Sequence, residues 1–254
     1  MQNKIKDSYY SGTSGLLLPV PNKQFYPEAF KTKSRLCYYA SLFNSIEINS
    51  SFYKVPLGST VARWAGETPE DFRFTFKLFR EITHRKGLVF EPGAVAQFME
   101  RIASVGNKKG CLLVQFPAGI SIAQIRQVAD LFACIRACDP RQEWKVAVEF
   151  RHHSWYRQDV ESLLDNYQVG WVLHDKLNEG GYMLESHLDF VYVRFHGPGG
   201  DYRGSYADEF LQEYAFYIRE WIAERKQVFA YFNNTIGSAI ENLRSLHVYV
   251  NEGL

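Results

Sequence analysis

The chain has 254 residues, which is enough for one large α/β domain or two small ones with a substantial core. It carries 29 Lys and Arg against 28 Asp and Glu, and this net charge of +1 argues against a protein whose overall field attracts polyanions or anionic membranes. Hydrophobic residues make up 46% and charged residues 22%, so the composition excludes extensive disorder.

The cysteines and the amino terminus indicate the cellular compartment. Four cysteines in a chain of this length have neither the density nor the spacing of a disulfide framework or a zinc site. The first residues, MQNKIKDS, lack the apolar core of a signal peptide, and we expect no membrane-spanning segment. The sequence therefore predicts a cytoplasmic protein with free thiols and with no bound metal or cofactor.

Short runs rich in β-branched and aromatic residues alternate with helical patterns along the chain, which is typical of βα units. Eight candidate strands begin near Tyr9, Ser45, Arg73, Gly110, Lys145, Gly170, Asp189 and Gln227. Their mean spacing of about 31 residues matches one βα repeat. The pattern predicts an α/β fold, a single TIM-type (β/α)8 barrel domain over residues 1–254, with 1–8 as a short flexible tail.

The predicted helices are amphipathic. Apolar residues recur at spacings of three and four over residues 122–132 and 207–225, so these segments should pack against the sheet. The sixth crossover is the weakest, because about a dozen residues containing two glycines separate His174 from the seventh strand. We expect a short or irregular connection there.

Polar residues end seven of the strands, on the face opposite their apolar neighbours. In chain order they are Glu47, Asn49, Lys77, Gln115, Glu149, Arg151, His174, Asp175, Arg194, His196, Tyr231 and Asn233. Active sites of TIM-type barrels lie at the carboxyl ends of the strands, so this polarity predicts a functional site. The alternative is a neutral salt-bridge lattice, in which three carboxylates balance three cations.

Individual residues allow two interpretations each. His84 either reaches the site or is an exposed loop histidine, and Trp155 either stacks on a planar ligand or packs the loop onto the rim. Glu149, Asp175 and His196 would suit a metal shell of two carboxylates and one imidazole. The neighbouring lysine and arginines would repel a cation, so we do not predict a metal.

The loops after the last two strands resemble an anion site. HGPGG (196–200) follows the seventh strand, and NNTIGSAIENL (233–243) runs from the eighth strand into a helix, whose first N–H groups have no partner within it. Together with Arg194, these loops predict a bound phosphate, sulfate or carboxylate. The alternative is that Asn234 and its neighbours cap the helix and that the glycines form turns.

Several motifs together resemble the domain-of-unknown-function 72 (YecE-like) family. They are GTSG (12–15), FYP (25–27), EINSSFY (47–53), TH (83–84), QFP (115–117), EFRHHSW (149–155), YVRFHG (192–197) and YFNNT..GSAIENL (231–243). The resemblance covers nearly the whole chain and implies a TIM-type barrel, but no activity. This chain has Leu16 where the family usually has a tryptophan after GTSG, and it has no tryptophan before Phe25.

Three classes of function fit these residues. We expect an enzyme, such as a hydrolase, lyase or isomerase, that uses acid–base chemistry on a small anion-bearing substrate. A glycosidase is a variant of this hypothesis. The alternatives are a non-catalytic binding protein for a small anion, nucleotide or nucleic-acid end, and a metal-dependent hydrolase or nuclease. A small anionic molecule is the expected partner, no membrane is expected, and the net charge gives no support for nucleic acid.

The candidate residues divide into two groups. The catalytic candidates are Glu47, Lys77, Glu149, Arg151 and Asp175. The candidates for substrate or anion binding are Asn49, Tyr53, Gln115, Trp155, Arg194, His196, Tyr231, Asn233 and Asn234. Inward alternation along the strands predicts that the charged members surround one cavity.

Overall fold

The computed structural model describes residues 8–175 and 187–252. These residues divide into two compact units, the first within 1–47, 67–73 and 172–254, and the second within 48–66 and 74–171. Among the described helices, none is long and apolar enough to cross a membrane.

Eight strands form one sheet in the order β1-β8-β7-β6-β5-β4-β3-β2. Their bounds are β1 (Tyr9–Thr13), β2 (Ser45–Ile48), β3 (Arg73–Lys77), β4 (Lys109–Gln115), β5 (Lys145–Glu149), β6 (Val169–His174), β7 (Phe190–Phe195) and β8 (Gln227–Phe232). Every predicted strand is present, and each begins within one residue of its predicted start. The predicted fold class, the TIM-type (β/α)8 barrel, is confirmed.

Helices alternate with the strands. The α-helices are α1 (Arg35–Ala40), α2 (Ser50–Tyr53), α3 (Gly58–Gly66), α4 (Arg80–Thr83), α5 (Pro92–Ala103), α6 (Ile125–Cys138), α7 (Gln158–Asn166), α8 (Asp208–Ala223) and α9 (Ala239–Glu252). Short 3-10 helices cover Lys23–Phe25, Glu28–Phe30, Lys86–Leu88, Ile122–Gln124 and His153–Trp155. Helices α6 and α8 correspond to the two amphipathic segments predicted from the sequence.

The first unit has a core between its sheet strands and the helices α8 and α9. Val191, Val193 and Phe195 of β7 belong to this core. The helices contribute residues spaced three and four apart, which is the period of one helix face. They are Leu211, Ala215 and Ile218 of α8, and Leu243, Leu246 and Val250 of α9.

The second unit is built on β3, β4 and β5, which pair in parallel. The register aligns Gln115 with Glu149 at the carboxyl ends of β4 and β5. Helix α6 buries Val128, Leu131, Phe132 and Ile135, again one face of a helix. This register places the polar ends of neighbouring strands side by side.

Three predictions about organisation have different outcomes. Ser8 does not belong to a flexible tail, since its carbonyl accepts a hydrogen bond from the Val228 N–H at 2.7 Å; residues 1–7 lie outside the described residues. The predicted irregular sixth crossover also lies largely outside them, at 176–186. A single domain over the whole chain stays a prediction.

Gly12 of β1 is a position where the packing requires glycine. A Cβ atom built there would lie 2.0 Å from the Ser45 carbonyl oxygen and 2.7 Å from the Tyr39 hydroxyl oxygen. We expect Gly12→Ala to destabilise the protein by roughly 1–3 kcal/mol or more, because a backbone carbonyl cannot move aside cheaply. Urea unfolding measures this loss.

Gly93→Ala is the matched control, since Gly93 lies in α5 with no atom within 4 Å of its added Cβ. It should be neutral or slightly stabilising. Equal stability of the two variants would contradict the packing around Gly12.

Candidate functional site

Glu47 lies at the centre of a buried hydrogen-bonded cluster in the first unit. Its Oε1 atom accepts hydrogen bonds from Ser14 Oγ at 2.6 Å and from Arg194 Nη2 at 2.7 Å. Its Oε2 atom accepts one from the Tyr192 hydroxyl at 2.5 Å. The side chains of Glu47 and Arg194 are 0% and 1% exposed. Both carboxylate oxygens are therefore bonded inside the protein.

The electrostatics of this cluster keep Glu47 ionised. Burial by itself opposes ionisation, but the charge of Arg194 and the hydrogen bonds from Arg194, Ser14 and Tyr192 outweigh it and lower the pKa of the carboxyl. This geometry does not support Glu47 as an acid–base catalyst or Arg194 as an anion ligand. For this pair, the alternative interpretation as a salt bridge describes the structure better.

Asp175 and His196 form a second network in the first unit. The Asp175 carboxylate accepts the backbone N–H of His196 at 2.9 and 3.1 Å and the hydroxyl hydrogen of Tyr206. The His196 ring is fully buried, with Nδ1 3.1 Å from Nδ2 of Asn233. These contacts hold the loop after β7, so they do not support a catalytic role for Asp175.

The turn before α9 does not present the free amides that the sequence predicts. The N–H groups of Ile236, Gly237 and Ser238 donate to the carbonyl oxygens of Tyr202, Asn234 and Gly204, at 2.8 to 3.1 Å. Two of these acceptors lie in the loop after β7 and the third lies in the turn itself, so the contacts favour the alternative interpretation as a cap and turns. The side-chain amide of Asn234 likewise donates to the carbonyl of Gly204 and to Asn242 Oδ1, at 3.1 and 3.0 Å.

A different polar group lies at the carboxyl ends of β3, β4 and β5 in the second unit. Lys77 Nζ donates to Gln115 Oε1 at 2.8 Å and lies 4.1 Å from the centroid of the Phe52 ring. Glu149, next to Gln115 in register, forms an ion pair with Arg151. The side chain of Arg151 is 17% exposed and that of Glu149 is 0% exposed. We call Lys77, Gln115, Glu149, Arg151 and His84 the basic cluster.

His84 belongs to this cluster, which is one of the two positions that the sequence allows for it. Burial is the main cause that lowers its pKa to about 4, and the charges of Lys77, Arg80 and Arg151 lower it further. Its Nδ1 atom is 2.8 Å from Thr83 Oγ1. The position of His84 directly after α4, close to the end of β3, was the sequence signal. That position did not predict the positively charged side chains that lie around the ring.

Four of the remaining candidates are placed as follows. Trp155 is fully buried and donates from Nε1 to the Ile120 carbonyl at 2.8 Å, which supports packing rather than ligand stacking. Tyr231 is also buried, with its hydroxyl 2.6 Å from Ser45 Oγ. Asn49 precedes α2 and makes no side-chain cap. Tyr53, at the end of α2, is 68% exposed.

Two of the three candidate metal ligands, the carboxylates, already bind other groups. Glu149 pairs with Arg151, and Asp175 binds the backbone of His196 and the hydroxyl of Tyr206. Within residues 8–175 and 187–252, no group of three or more His, Cys, Asp or Glu side chains is arranged to hold a metal ion.

Comparisons with known proteins agree with the sequence motifs. The family described as Protein of unknown function DUF72 matches residues 10–253. UPF0759 protein YunF of Bacillus subtilis is 25% identical over an alignment of 243 residues, and the match covers 84% of each chain. UPF0759 protein YecE of Escherichia coli is 28% identical over 123 residues, 48% of this chain and 43% of that protein.

Solved structures show the same fold. A DUF72 family protein from Thermotoga maritima has a TM-score of 0.71 and 25% identity, over 97% of this chain and 98% of that one. One from Enterococcus faecalis V583 has a TM-score of 0.73 and 19% identity, over 96% and 95% of the two chains. At these identities the match shows the fold.

Arg194→Met tests the role of the buried ion pair. We expect a loss of roughly 3–5 kcal/mol in the free energy of unfolding, because the Glu47 carboxylate would stay buried without a countercharge. Combining it with Glu47→Gln should restore part of this loss, since the uncompensated charge is then absent. Urea unfolding of both variants gives the values. Unchanged stability together with weakened anion binding would instead support the sequence prediction for Arg194.

Proposed function

The chain belongs to the DUF72 family, and from the basic cluster we propose that it is an enzyme using acid–base chemistry on a small polar substrate with an anionic group. The observation that carries this proposal is that Lys77, held by Gln115, and Arg151, paired with Glu149, lie at neighbouring strand ends, with Lys77 and the half-buried His84 both against the Phe52 ring. The charges of Lys77, Arg80 and Arg151 all lower the pKa of His84. Glu149 is the carboxylate that pairs with one of these cations. Such an excess of positive charge at strand ends favours an anion.

In this proposal Lys77 and Arg151 bind the anionic group. Gln115 holds the Lys77 ammonium through its side-chain oxygen, and Glu149 holds the Arg151 guanidinium through the ion pair. Both cations are thus oriented before a ligand arrives, which lowers the cost of ordering them on binding. Because the Glu149 side chain is fully buried, its role here is to position Arg151.

His84 is the proposed group for proton transfer or for polarising a substrate oxygen. Its pKa of about 4 keeps the imidazole neutral at neutral pH. When the Thr83 hydroxyl donates to Nδ1, the ring proton resides on Nε2 and can form a hydrogen bond that polarises a substrate oxygen. When Nδ1–H donates to the Thr83 hydroxyl instead, Nε2 carries the lone pair that can accept a proton from the substrate. The phenol of Tyr156 stays neutral too, because burial and the charge of Glu149 raise its pKa, against a lowering by Arg151.

A non-catalytic anion-binding protein is the second candidate, and one observation favours it. The Glu149 carboxylate is engaged by Arg151, so the described cluster is better supplied with anion ligands than with proton-transfer groups. Turnover of small phosphorylated or carboxylated compounds, abolished by His84→Gln, would support the enzyme. Binding of such compounds without turnover would support the second candidate.

The location of the protein is part of the proposal. All four cysteines are free thiols, and the cytoplasm keeps thiols reduced. This supports the expectation of a cytoplasmic protein whose partner is a small anionic molecule.

Calorimetric titration with inorganic phosphate tests the proposed site. Charge-assisted hydrogen bonds contribute roughly 1.5–3 kcal/mol each, so Lys77→Met and Arg151→Met should each weaken phosphate binding by about 10- to 100-fold. The control is Lys109→Met, which removes the same charge at the opposite end of β4, where Lys109 pairs with Glu143 at 3.0 Å. Equal phosphate affinity of all three variants would refute the basic cluster as an anion site.

A further inference from the structure

Two aromatic side chains, Tyr53 and Phe52, connect the exposed surface with the basic cluster. Tyr53 is 68% exposed and packs edge-to-face on Phe52, with ring centroids 5.0 Å apart at 87°. Phe52 in turn packs edge-to-face on His84, at 4.8 Å and 77°. The same Phe52 ring lies 4.1 Å from Lys77 Nζ. The Tyr53 ring is therefore at most about 9 Å from the ammonium proposed to bind the anion.

The backbone segment that carries Phe52 and Tyr53 is fixed to the strand ends. Ser51, which is 1% exposed, has its hydroxyl 2.6 Å from the carbonyl oxygen of Ile48 and 2.7 Å from that of Lys77. It therefore donates to either of two carbonyls beside the site. The short helix α2 is held against the end of β3 in this way, and Tyr53 is presented by an anchored segment.

Single exposed apolar side chains are normal on protein surfaces and need no explanation by themselves. Tyr53 differs from the exposed Phe25, which is 58% accessible, in what lies beneath it. Under Tyr53 is a second ring that contacts both a cation and an imidazole of the proposed site. An exposed ring beside the proposed anion-binding groups matches a ligand that has a flat ring attached to its charged group.

We infer that Tyr53 is a stacking surface for an aromatic ring of the substrate, so that the substrate class is an anion carrying an aromatic or heteroaromatic ring, of which a nucleoside monophosphate is the type. This inference rests on the proposed function, since it places the anionic group at Lys77 and Arg151. In a nucleoside monophosphate one sugar separates the phosphate from the base, which suits a ring site set apart from the ammonium.

Calorimetry with three probes tests the inference, namely inorganic phosphate, ribose 5-phosphate and AMP. The wild type should bind AMP more tightly than ribose 5-phosphate. Tyr53→Ala should weaken AMP binding by roughly 5- to 100-fold, the usual effect of removing one base-stacking ring, and should leave phosphate binding unchanged. Tyr53→Phe keeps the ring and should bind AMP like the wild type. Phe25→Ala, the control on another exposed ring, should have no effect.

The outcomes separate the inference from the proposed function. Phosphate binding that depends on Lys77, combined with equal AMP affinity in the wild type and Tyr53→Ala, would overturn only the inference. Equal weakening of ribose 5-phosphate and AMP by Tyr53→Ala would also overturn it, because the ring would then contact the sugar. No phosphate binding by the wild type would overturn the proposed function and the inference with it.

Discussion

The buried pair of Glu47 and Arg194 is the constraint on which the first unit depends. A carboxylate removed from water is tolerated only when its charge and its lone pairs are satisfied. Arg194 supplies the charge, Ser14 supplies a further donor from the residue after β1, and Tyr192 supplies one from β7. The pair therefore fixes how the ends of β1, β2 and β7 are arranged, and it leaves Glu47 no free oxygen for chemistry.

In the basic cluster, by contrast, the charges are not balanced, and positive charge is in excess. Lys77, Arg80 and Arg151 act on one half-buried imidazole, while Glu149 balances one of them and Glu81, on α4, lies 3.7 Å from Arg80. Cations gathered around one group repel one another, and a bound anion would relieve this repulsion. Strain of this kind is common at functional sites, where it prepares the site for its ligand. The two clusters contain similar residue types but differ in accessibility and charge balance.

The sequence predicts the strands and the polar residues at their ends, because β-branched runs and period-two alternation are local signals. It does not predict which charges are buried in pairs, since Glu47 and Lys77 look alike in the pattern and only tertiary contacts distinguish them. The sequence also predicts unpartnered amides at the turn before α9, and it misses their acceptors for a similar reason. Two of the three bonded amides of this turn donate to carbonyls of the loop after β7, which is 34 residues away in sequence. His84 lies outside any strand pattern, so strand alternation could not predict that it is half-buried beside positive charges.

The pKa of His84 tests the central claim, that the ends of β3, β4 and β5 form a positive site for an anion, most directly. Proton NMR of the imidazole, assigned with His84→Gln, should give a pKa of about 4 in the wild type. Lys77→Met and saturating phosphate should each raise it, because less positive charge then opposes the imidazolium. An ordinary pKa near 6.5 in the wild type, unmoved by the variant and by phosphate, would contradict the account.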